Sequence, residues 1–378
     1  MKNTVSKVVV IGAGIFGVST GLHLARRGVE VTIVNDGPVA NGASGRSLSW
    51  LNSSRMRSDA YHRLRMAGID RYRTLASKHP DADWLSFAGG LTWDGDDDKN
   101  EIEAAYRHEV SLAYDAVHLD PDAAAQVTPG VDTSRITWQG AIFNPGEGWV
   151  DLPKLIDVLL KEFIELGGTL ITDTGAARVE IEGGRATGVA ASSGRTFQAD
   201  AVLLATGPSV PQMVAEAGQY IGDATPVSLL VTTKPTDVTL EAVLNTPRVA
   251  VRPAPGGRLA LDSAWSEEEV IRKPDGGYEI RPSTLDGLLA EASNVLKGNP
   301  RLELEAYGVG RKPIPGDGEP VFGELQAIPG YFVAFSHSGA TLGLIAGEML
   351  AYEIATGDRH PMLAHFRPER FADRKSAG

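Results

Sequence analysis

The sequence predicts an α/β protein, α+β overall, in which an α/β domain is interleaved with a second domain built on a mixed, largely antiparallel sheet. Three stretches carry this prediction. Residues 7–36 have the pattern strand, glycine turn, helix, strand, which is a βαβ unit. Residues 148–168 have the periodicity of an amphipathic helix, and alternating strand patterns follow it. Residues 225–309 have short apolar runs broken by prolines and glycine pairs, as hairpins do.

Length and composition narrow the classes of protein. The chain has 378 residues, more than one hydrophobic core usually organises, so two domains are expected. No run of about 18 apolar residues predicts a transmembrane segment, and the short apolar run near the N-terminus reads as a strand and not as a signal peptide. A formal charge of −12 disfavours nucleic acid as a partner. The absence of cysteine excludes disulfides and thiolate metal sites, and it suits a cytoplasmic protein.

The turn of the βαβ unit has the sequence GAGIFG at residues 12–17, after a buried strand and at the start of a helix. In this context the first glycine permits a tight turn, the second lets the backbone approach a pyrophosphate, and the third lets the helix pack on the strand. The helix N-terminus offers N–H groups to the anion. The turn therefore predicts a dinucleotide site. The second strand ends at Asn35, where a carboxylate usually binds the ribose, and Asp36 follows. Either residue could hold the ribose.

The rest of the chain predicts further elements of both domains. A helix over residues 148–168 has apolar positions at Leu152, Leu155, Ile156, Leu159, Leu160 and Phe163. A strand at TLIT, an antiparallel meander and a buried strand over 201–205 follow it. Glycine pairs at 256–257 and 276–277 predict hairpin turns, and a long helix is predicted from about Leu342 to Thr356.

Six motifs, in order along almost the whole chain, resemble the flavoprotein oxidoreductases grouped with D-amino acid oxidase, glycine oxidase and monomeric sarcosine oxidase. They are VVVIGAGIFG at 8–17, GASGRS at 42–47, GWVDLP at 148–153, ADAVLLATG at 199–207, GRKPIPGDGEPVFG at 310–323 and SHSGATL at 336–342. The resemblance implies a Rossmann-like domain that holds extended FAD, formed by residues 1–84, 146–224 and 310–378. It also implies a substrate-binding domain, residues 85–145 and 225–309, whose sheet roofs the isoalloxazine.

The resemblance also assigns cofactor contacts residue by residue. It puts the glycine turn and Ser44 at the pyrophosphate, Asn35 at the adenosine ribose, the backbone of Val179 at the adenine, and the turn before the last helix at the flavin. The predicted FAD-binding residues are Gly12, Gly14, Ile15, Phe16, Gly17, Asn35, Asp36, Ser44, Gly45, Arg46, Ser47, Val179, Ala205, Thr206, Gly207, Arg311, Ser338, Gly339, Ala340 and Thr341. An amide can still bond a ribose hydroxyl, so FAD is expected to bind in spite of Asn35. Asn35→Glu, which restores the usual carboxylate, is expected to leave FAD affinity equal or higher.

Two departures from the family pattern qualify the resemblance. Members with covalent flavin use a Cys or a His near these motifs, but this chain has no Cys and GASGRSLSW has no His, so noncovalent FAD is expected. Thr341 stands where sarcosine oxidase types have a Lys. The positive end of the last helix is then left to stabilise negative charge on the reduced flavin.

The reaction that the resemblance implies is oxidation of a small amine or amino acid by hydride transfer from the carbon next to nitrogen to flavin N5, giving an imine that hydrolyses. Dioxygen, or a quinone or other carrier, is the expected electron acceptor. A substrate carboxylate needs a cationic partner, for which Arg311 and then Lys312 are the candidates. His337 lies inside a motif and could tune the charge at the flavin or satisfy backbone groups.

Other residues keep two interpretations. One of Arg46, Arg55 and Arg57 could face the substrate, although exposed arginine is common, and Trp50 and Trp149 could wall a pocket or pack in the core. The acid-rich residues 94–101 match no metal-ligand spacing and predict a solvated loop, so no metal is expected. The alternatives in function are a nicotinamide-dependent dehydrogenase and a flavin-binding protein without amine turnover.

Overall fold

The computed structural model describes the backbone of residues 5–376 and the side chains of residues 5–372. Its α-helices are α1 (Ile15–Ala25), α2 (Asp59–Lys78), α3 (Ile102–Ser111), α4 (Pro121–Val127), α5 (Leu152–Glu165), α6 (Val210–Glu216), α7 (Ala264–Glu268), α8 (Pro282–Asn294) and α9 (Gly339–Thr356).

The strands number through both units in chain order. They are β1 (Lys7–Ile11), β2 (Glu30–Val34), β3 (Trp50–Leu51), β4 (Leu85–Ser86), β5 (Gly90–Thr92), β6 (Val117–Leu119), β7 (Ala141–Asn144), β8 (Gly148–Val150), β9 (Thr169–Ile171), β10 (Ala177–Glu182), β11 (Arg185–Ala191), β12 (Thr196–Gln198), β13 (Ala201–Leu204), β14 (Val227–Thr233), β15 (Val243–Asn245), β16 (Ala250–Ala254), β17 (Arg258–Asp262), β18 (Ile271–Arg272), β19 (Tyr278–Glu279), β20 (Leu304–Arg311), β21 (Val321–Glu324) and β22 (Tyr331–Phe335).

The chain divides into two compact units. The first takes the chain up to Gly45, then Leu152–Pro226, and then the chain from Arg311 onwards. The second takes Arg46–Asp151 and Val227–Gly310. The predicted domain boundaries differ from these units chiefly at residues 46–84 and 146–151, which were predicted to belong to the first domain and lie in the second unit.

The first unit contains a six-stranded sheet in the order β21-β22-β13-β1-β2-β9. Its neighbouring strands are parallel except for β21, which runs antiparallel to β22. The central strands β1 and β13 are almost wholly apolar and buried, as strands covered on both faces are. Strand, helix and strand at the start of the chain confirm the predicted βαβ unit.

Two further predictions for the first unit are confirmed. The six apolar positions predicted for the helix over 148–168 are all buried in α5, because they lie on one face of a 3.6-residue period. The predicted meander is the antiparallel sheet β10-β11-β12. Helix α9 starts at Gly339, three residues before the predicted Leu342. The first three residues of α9, Gly-Ala-Thr, lack the large apolar side chains that mark the start of a helical pattern in the sequence.

The second unit is built on an eight-stranded sheet in the order β20-β14-β17-β16-β15-β5-β7-β6. Its described pairs are antiparallel except for β15 with β5, so the predicted mixed, largely antiparallel sheet is confirmed. One face packs against α8 and α4 in a hydrophobic cluster that includes Leu91, Leu244, Val251, Leu261 and Leu288. The glycine pairs 256–257 and 276–277 form the predicted turns, between β16 and β17 and between β18 and β19.

None of the helices in the described part of the chain has the length and apolar content that crossing a bilayer requires. Both kinds of predicted sheet are present, and the predicted fold class is confirmed.

Candidate functional site

The glycine turn between β1 and α1 is closed by direct approach of backbone to backbone. Gly12 has φ 111°, and a Cβ there would lie 2.5 Å from the carbonyl oxygen of Ala205 at the end of β13. A Cβ at Gly17 would overlap the carbonyl oxygen of Gly12. These two glycines are therefore required by the packing of the turn itself, which is the structural part of the GxGxxG logic.

The N-terminus of α1 lies beside the Ser44 hydroxyl and has no negative charge in its first turn. Gly14 caps the helix without a side-chain hydrogen bond, and the first turn contains no acidic residue. Ser44, in the short 3-10 helix Ala43–Gly45, accepts a hydrogen bond from the Ile15 N–H at 3.1 Å. A Cβ at Gly14 would lie 3.2 Å from the Ser44 Oγ, so glycine keeps this corner open. A hydroxyl, backbone N–H groups and the positive helix end fit a pyrophosphate.

Asn35 holds the glycine turn to the end of β2. Its Oδ1 accepts from the Ala13 N–H at 2.9 Å, and its Nδ2 donates to the carbonyls of Gly37 and Pro38 at 2.8 and 3.0 Å. Both amide hydrogens are therefore used inside the protein, and a ribose hydroxyl could reach only the second lone pair of Oδ1. The carbonyls facing Nδ2 would repel a carboxylate. This geometry argues against the expectation that Glu is harmless at position 35.

Asp36 is the better placed of the two ribose candidates. Its side chain is exposed, and its backbone forms an isolated bridge with Asp173, which turns the chain beyond the end of β2. The Asp36 carbonyl accepts from Asn41 at 3.3 Å, so the backbone is held while the carboxylate stays in solvent. An exposed carboxylate one residue beyond the strand end can accept from a ribose hydroxyl.

The other predicted dinucleotide-binding residues of the first unit lie at the end of β13 or on the edge strand β10. Ala205 is buried and donates its N–H to Ile11, and Thr206 and Gly207 form the turn after it, with Gly207 at φ 57°. Val179 is half-buried in β10, an edge strand, so half of the backbone groups of that strand face away from its partner β11. Backbone contacts to a ligand are possible at both places.

Helices α1 and α9 pack on each other through glycine. A Cβ at Gly343 would overlap the Ile15 side chain, and one at Gly347 would overlap Ser19. Gly339, the first residue of α9, lies beside Ile15 and Phe16, with its built Cβ 3.6 Å from Ile15 Cγ2. The two helix N-termini therefore lie side by side. Ile15 and Phe16, predicted as cofactor contacts, serve this packing.

The start of α9 follows β22 through Ser336, His337 and Ser338. Ser338 is the N-cap but makes no side-chain cap, and the first turn has no acidic residue. The Oγ of Ser336 is buried and has no hydrogen-bond partner among the described residues. His337 is exposed, whereas Ala340 and Thr341 are buried. Two adjacent positive helix ends, each without an acidic neighbour in its first turn, can stabilise negative charge on one bound group.

Arg311, at the end of β20, carries a weak ion pair. Its Nη2 lies 3.5 Å from Asp223 Oδ2, and the two side chains are 38% and 34% exposed. Pairs of this kind contribute about 1 kcal/mol or less, so a ligand carboxylate can compete with Asp223. Lys312 follows, and its backbone N–H donates to Pro226.

The second unit holds Arg46 and Ser47, the remaining predicted cofactor contacts. The stem of Arg46 packs on two glycines of β20, because a Cβ at Gly308 or Gly310 would lie 3.2 or 3.1 Å from it. Ser47 Oγ accepts from the N–H of Ser49, which has φ 57°. Both residues have a structural role in this unit.

Arg55 and the acid-rich loop form one structural contact. Arg55 donates two hydrogen bonds to Asp94, one of them at 3.0 Å, and adopts φ 68°. Asp94 also accepts from the Glu101 N–H at 3.0 Å. The guanidinium is therefore used inside the protein, which leaves it poorly suited to a substrate. In the described residues no three His, Asp or Glu side chains come together as a metal site requires.

Several buried ionisable groups of the second unit were not predicted, and two of them are Glu147 and Arg252. Glu147 accepts at Oε1 from the Tyr114 hydroxyl at 2.6 Å and the Ser53 N–H at 3.2 Å, and burial with the nearby Glu109 raises its pKa to about 8. Arg252 is 4% exposed, and burial lowers its pKa to about 10. In the sequence, the position of Glu147 just before the GWVDLP motif is typical of a turn residue. The position of Arg252 is typical of a polar residue on the exposed face of a strand. The sequence carries no signal for either.

Comparisons with known proteins give one consistent result. A family model described as FAD dependent oxidoreductase matches residues 7–353. The chain is 24% identical to a D-amino acid dehydrogenase of Cereibacter sphaeroides, covering 97% of this chain and 95% of that protein. It is 24% identical to a glycine oxidase of Geobacillus kaustophilus, covering 91% of each. The crystal structure of a glycine oxidase from Bacillus cereus superposes with a TM-score of 0.81 at 21% identity, over 96% of this chain and 98% of that one.

Proposed function

Since this chain belongs to the family of FAD dependent oxidoreductases, we propose that it oxidises a small amino acid or related amine at the carbon next to nitrogen. The observation that carries this proposal is the pair of adjacent helix N-termini in the first unit. Gly339 at the start of α9 lies against Ile15 and Phe16 at the start of α1. Two such ends suit a cofactor that has both a pyrophosphate and a ring system on which charge accumulates.

The first unit is proposed as the FAD-binding domain and the second as the substrate-binding domain. The glycine turn, Ser44 and the α1 N-terminus would hold the pyrophosphate, and Asp36, rather than Asn35 alone, would hold the ribose. Attachment is proposed to be noncovalent because the chain has no cysteine and the segment GASGRSLSW has no histidine. The exposed His337 would adjust the charge at the start of α9.

FAD, when bound, supplies the hydride acceptor, and the oxidised product is an imine that water hydrolyses. The chain contributes binding, orientation and electrostatics. The α9 N-terminus would stabilise the negative charge of the reduced state by about 0.3–1 kcal/mol, and by more where it is partly buried. Arg311 would bind the substrate carboxylate in exchange for Asp223, with Lys312 as the second candidate.

The substrate class is proposed from the names of the relatives and from Arg311. D-amino acid dehydrogenase and glycine oxidase both act on amino acids by name. A weakly paired guanidinium is the side chain that a carboxylate substrate needs. The acceptor of the electrons is proposed to be dioxygen, or a quinone or other carrier.

The test is to purify the protein with its cofactor and to record the visible spectrum before and after adding amines without oxygen. Oxidised flavin absorption that an amino acid bleaches supports the proposal. A colourless protein that takes up no FAD contradicts the cofactor, and a yellow protein that no amino acid or amine bleaches contradicts the substrate class. The electron acceptor is identified by adding either air, or a quinone without air, to the reduced protein and recording which of them restores the oxidised flavin absorption.

A further inference from the structure

The strand β16 has two chemically different faces. Val251 packs with Leu259 and Leu261 in the hydrophobic cluster of the second unit. Arg252 pairs with Ala260 on β17, and because side chains alternate along a strand, both lie on the opposite face of the sheet. A cation thus stands in a central strand, on the face away from the helix-packed core.

Arg252 is buried without the partners that buried arginines normally have. Its Nη1 donates to the Pro253 carbonyl at 2.8 Å, and its Nη2 lies 4.0 Å from Asp151 Oδ2, which is beyond hydrogen-bond distance. Its Nε has no hydrogen-bond partner among the described residues. The guanidinium carbon lies 5.1 Å from the centre of the Trp149 ring. A buried charge held in this way costs free energy unless something completes its hydrogen bonds.

Arg367 in the first unit shows what a structural buried arginine looks like in this protein. Its Nη1 and Nη2 donate to the two carboxylate oxygens of Glu353 at 2.7 and 2.6 Å, and Nη2 also donates to the His360 carbonyl at 3.1 Å. Arg252 is as well buried as Arg367 but lacks the bidentate carboxylate. Besides the more distant Asp151, the guanidinium of Arg252 can therefore still take a planar anion in bidentate geometry.

A second donor lies beside the guanidinium. The indole Nε1 of Trp149 is buried and has no partner among the described residues. Gly90 of β5 lies on the same face of the sheet as Arg252, with β15 between them. A Cβ at Gly90 would overlap Oε2 of Glu147, so this carboxyl group also lies on that face. A carboxylate bound at Arg252 can accept from both the guanidinium and the indole N–H.

We propose that Arg252 and Trp149 bind a second carboxylate of the substrate, so that the preferred substrate is an amino or imino acid with two carboxylates. This inference rests on the proposed function and concerns the second unit alone. A planar carboxylate fits the guanidinium fork, and the Trp149 ring holds the guanidinium plane in place. The second unit thereby determines specificity in the side chain of the substrate.

The experiment compares flavin reduction by aspartate with asparagine, and by glutamate with glutamine, in both stereoisomers. Each pair differs in one carboxylate. In the wild-type holoenzyme the dicarboxylic member of each pair should reduce the flavin about 10- to 100-fold more efficiently than its amide. Hydrogen bonds to charged groups contribute about 1.5–3 kcal/mol, which corresponds to this ratio. Arg252→Met should bring the ratio close to one by raising KM for the dicarboxylic member, with the amide substrates unchanged. Arg258→Met is the matched control, because Arg258 is on the neighbouring strand and pairs with Glu305.

The outcomes separate this inference from the proposed function. If no amino acid of either kind reduces the flavin, the proposed function fails. If amino acids reduce it but the dicarboxylic members have no advantage in the wild-type protein, or keep it in Arg252→Met, the inference is overturned. If Arg252→Met does not retain FAD, the wild-type ratio decides alone, and Arg252→Lys should keep part of the preference.

Discussion

Replacing Glu147 by Gln is expected to remove a pH dependence of stability that this buried acid imposes. Its pKa is about 8 in the folded protein, against an ordinary 4.5, because it is buried and lies near Glu109. Between these values the folded protein binds a proton that the unfolded chain has lost, so stability falls as pH rises. The difference corresponds to about 5 kcal/mol in all, or about 1.4 kcal/mol per pH unit.

Gln keeps an acceptor for the Tyr114 hydroxyl and the Ser53 N–H and stays neutral at every pH. Denaturant unfolding of wild type and Glu147→Gln at pH values between 4.5 and 8, with FAD held constant, measures the effect. The variant should gain on the wild type as pH rises through this range. Glu303→Gln is the control, since that carboxylate is exposed and Lys234 lowers its pKa. Parallel pH profiles for wild type and Glu147→Gln would refute the reasoning.

Three further substitutions test the first unit. Asn35→Asp should destabilise the glycine turn by about 2–3 kcal/mol and weaken FAD binding, because it loses two donors and puts an oxygen against two carbonyls; FAD release on heating measures this, and unchanged affinity would contradict it. Gly347→Ala should lower the free energy of unfolding by about 1–3 kcal/mol through its clash with Ser19, whereas Gly42→Ala, in open space, should leave it unchanged. Equal melting temperatures of the two variants would count against tight α1–α9 packing. Arg311→Met should raise KM for a carboxylate substrate on the order of 10²-fold with FAD retained, and an unchanged KM would remove Arg311 from the site.

Patterns within about twenty residues predicted much of the fold. The βαβ unit, α5 and the two hairpins in the second unit follow from periodicity and glycine placement, because burying an apolar face requires the same spacing in any tertiary context. The GxGxxG turn belongs to this group. Gly17 meets the backbone of Gly12 inside the motif, whereas Gly12 meets the backbone of Ala205 and Thr206, which only the tertiary structure brings close.

The chemistry of individual polar side chains was decided by tertiary contacts. Asn35 looked like a replaced ribose ligand, but its amide holds Ala13, 22 residues earlier. The pKa of Glu147 is raised because the fold buries it near Glu109, and this outweighs the hydrogen bonds from Tyr114 and from Ser53, 94 residues away, which lower the pKa. Arg252 lies beside Trp149 although β16 belongs to the eight-stranded sheet and β8 to the separate sheet β3-β8-β4. Whether a charge is solvated, paired or left incomplete depends on which distant residues surround it, and no local pattern encodes that neighbourhood.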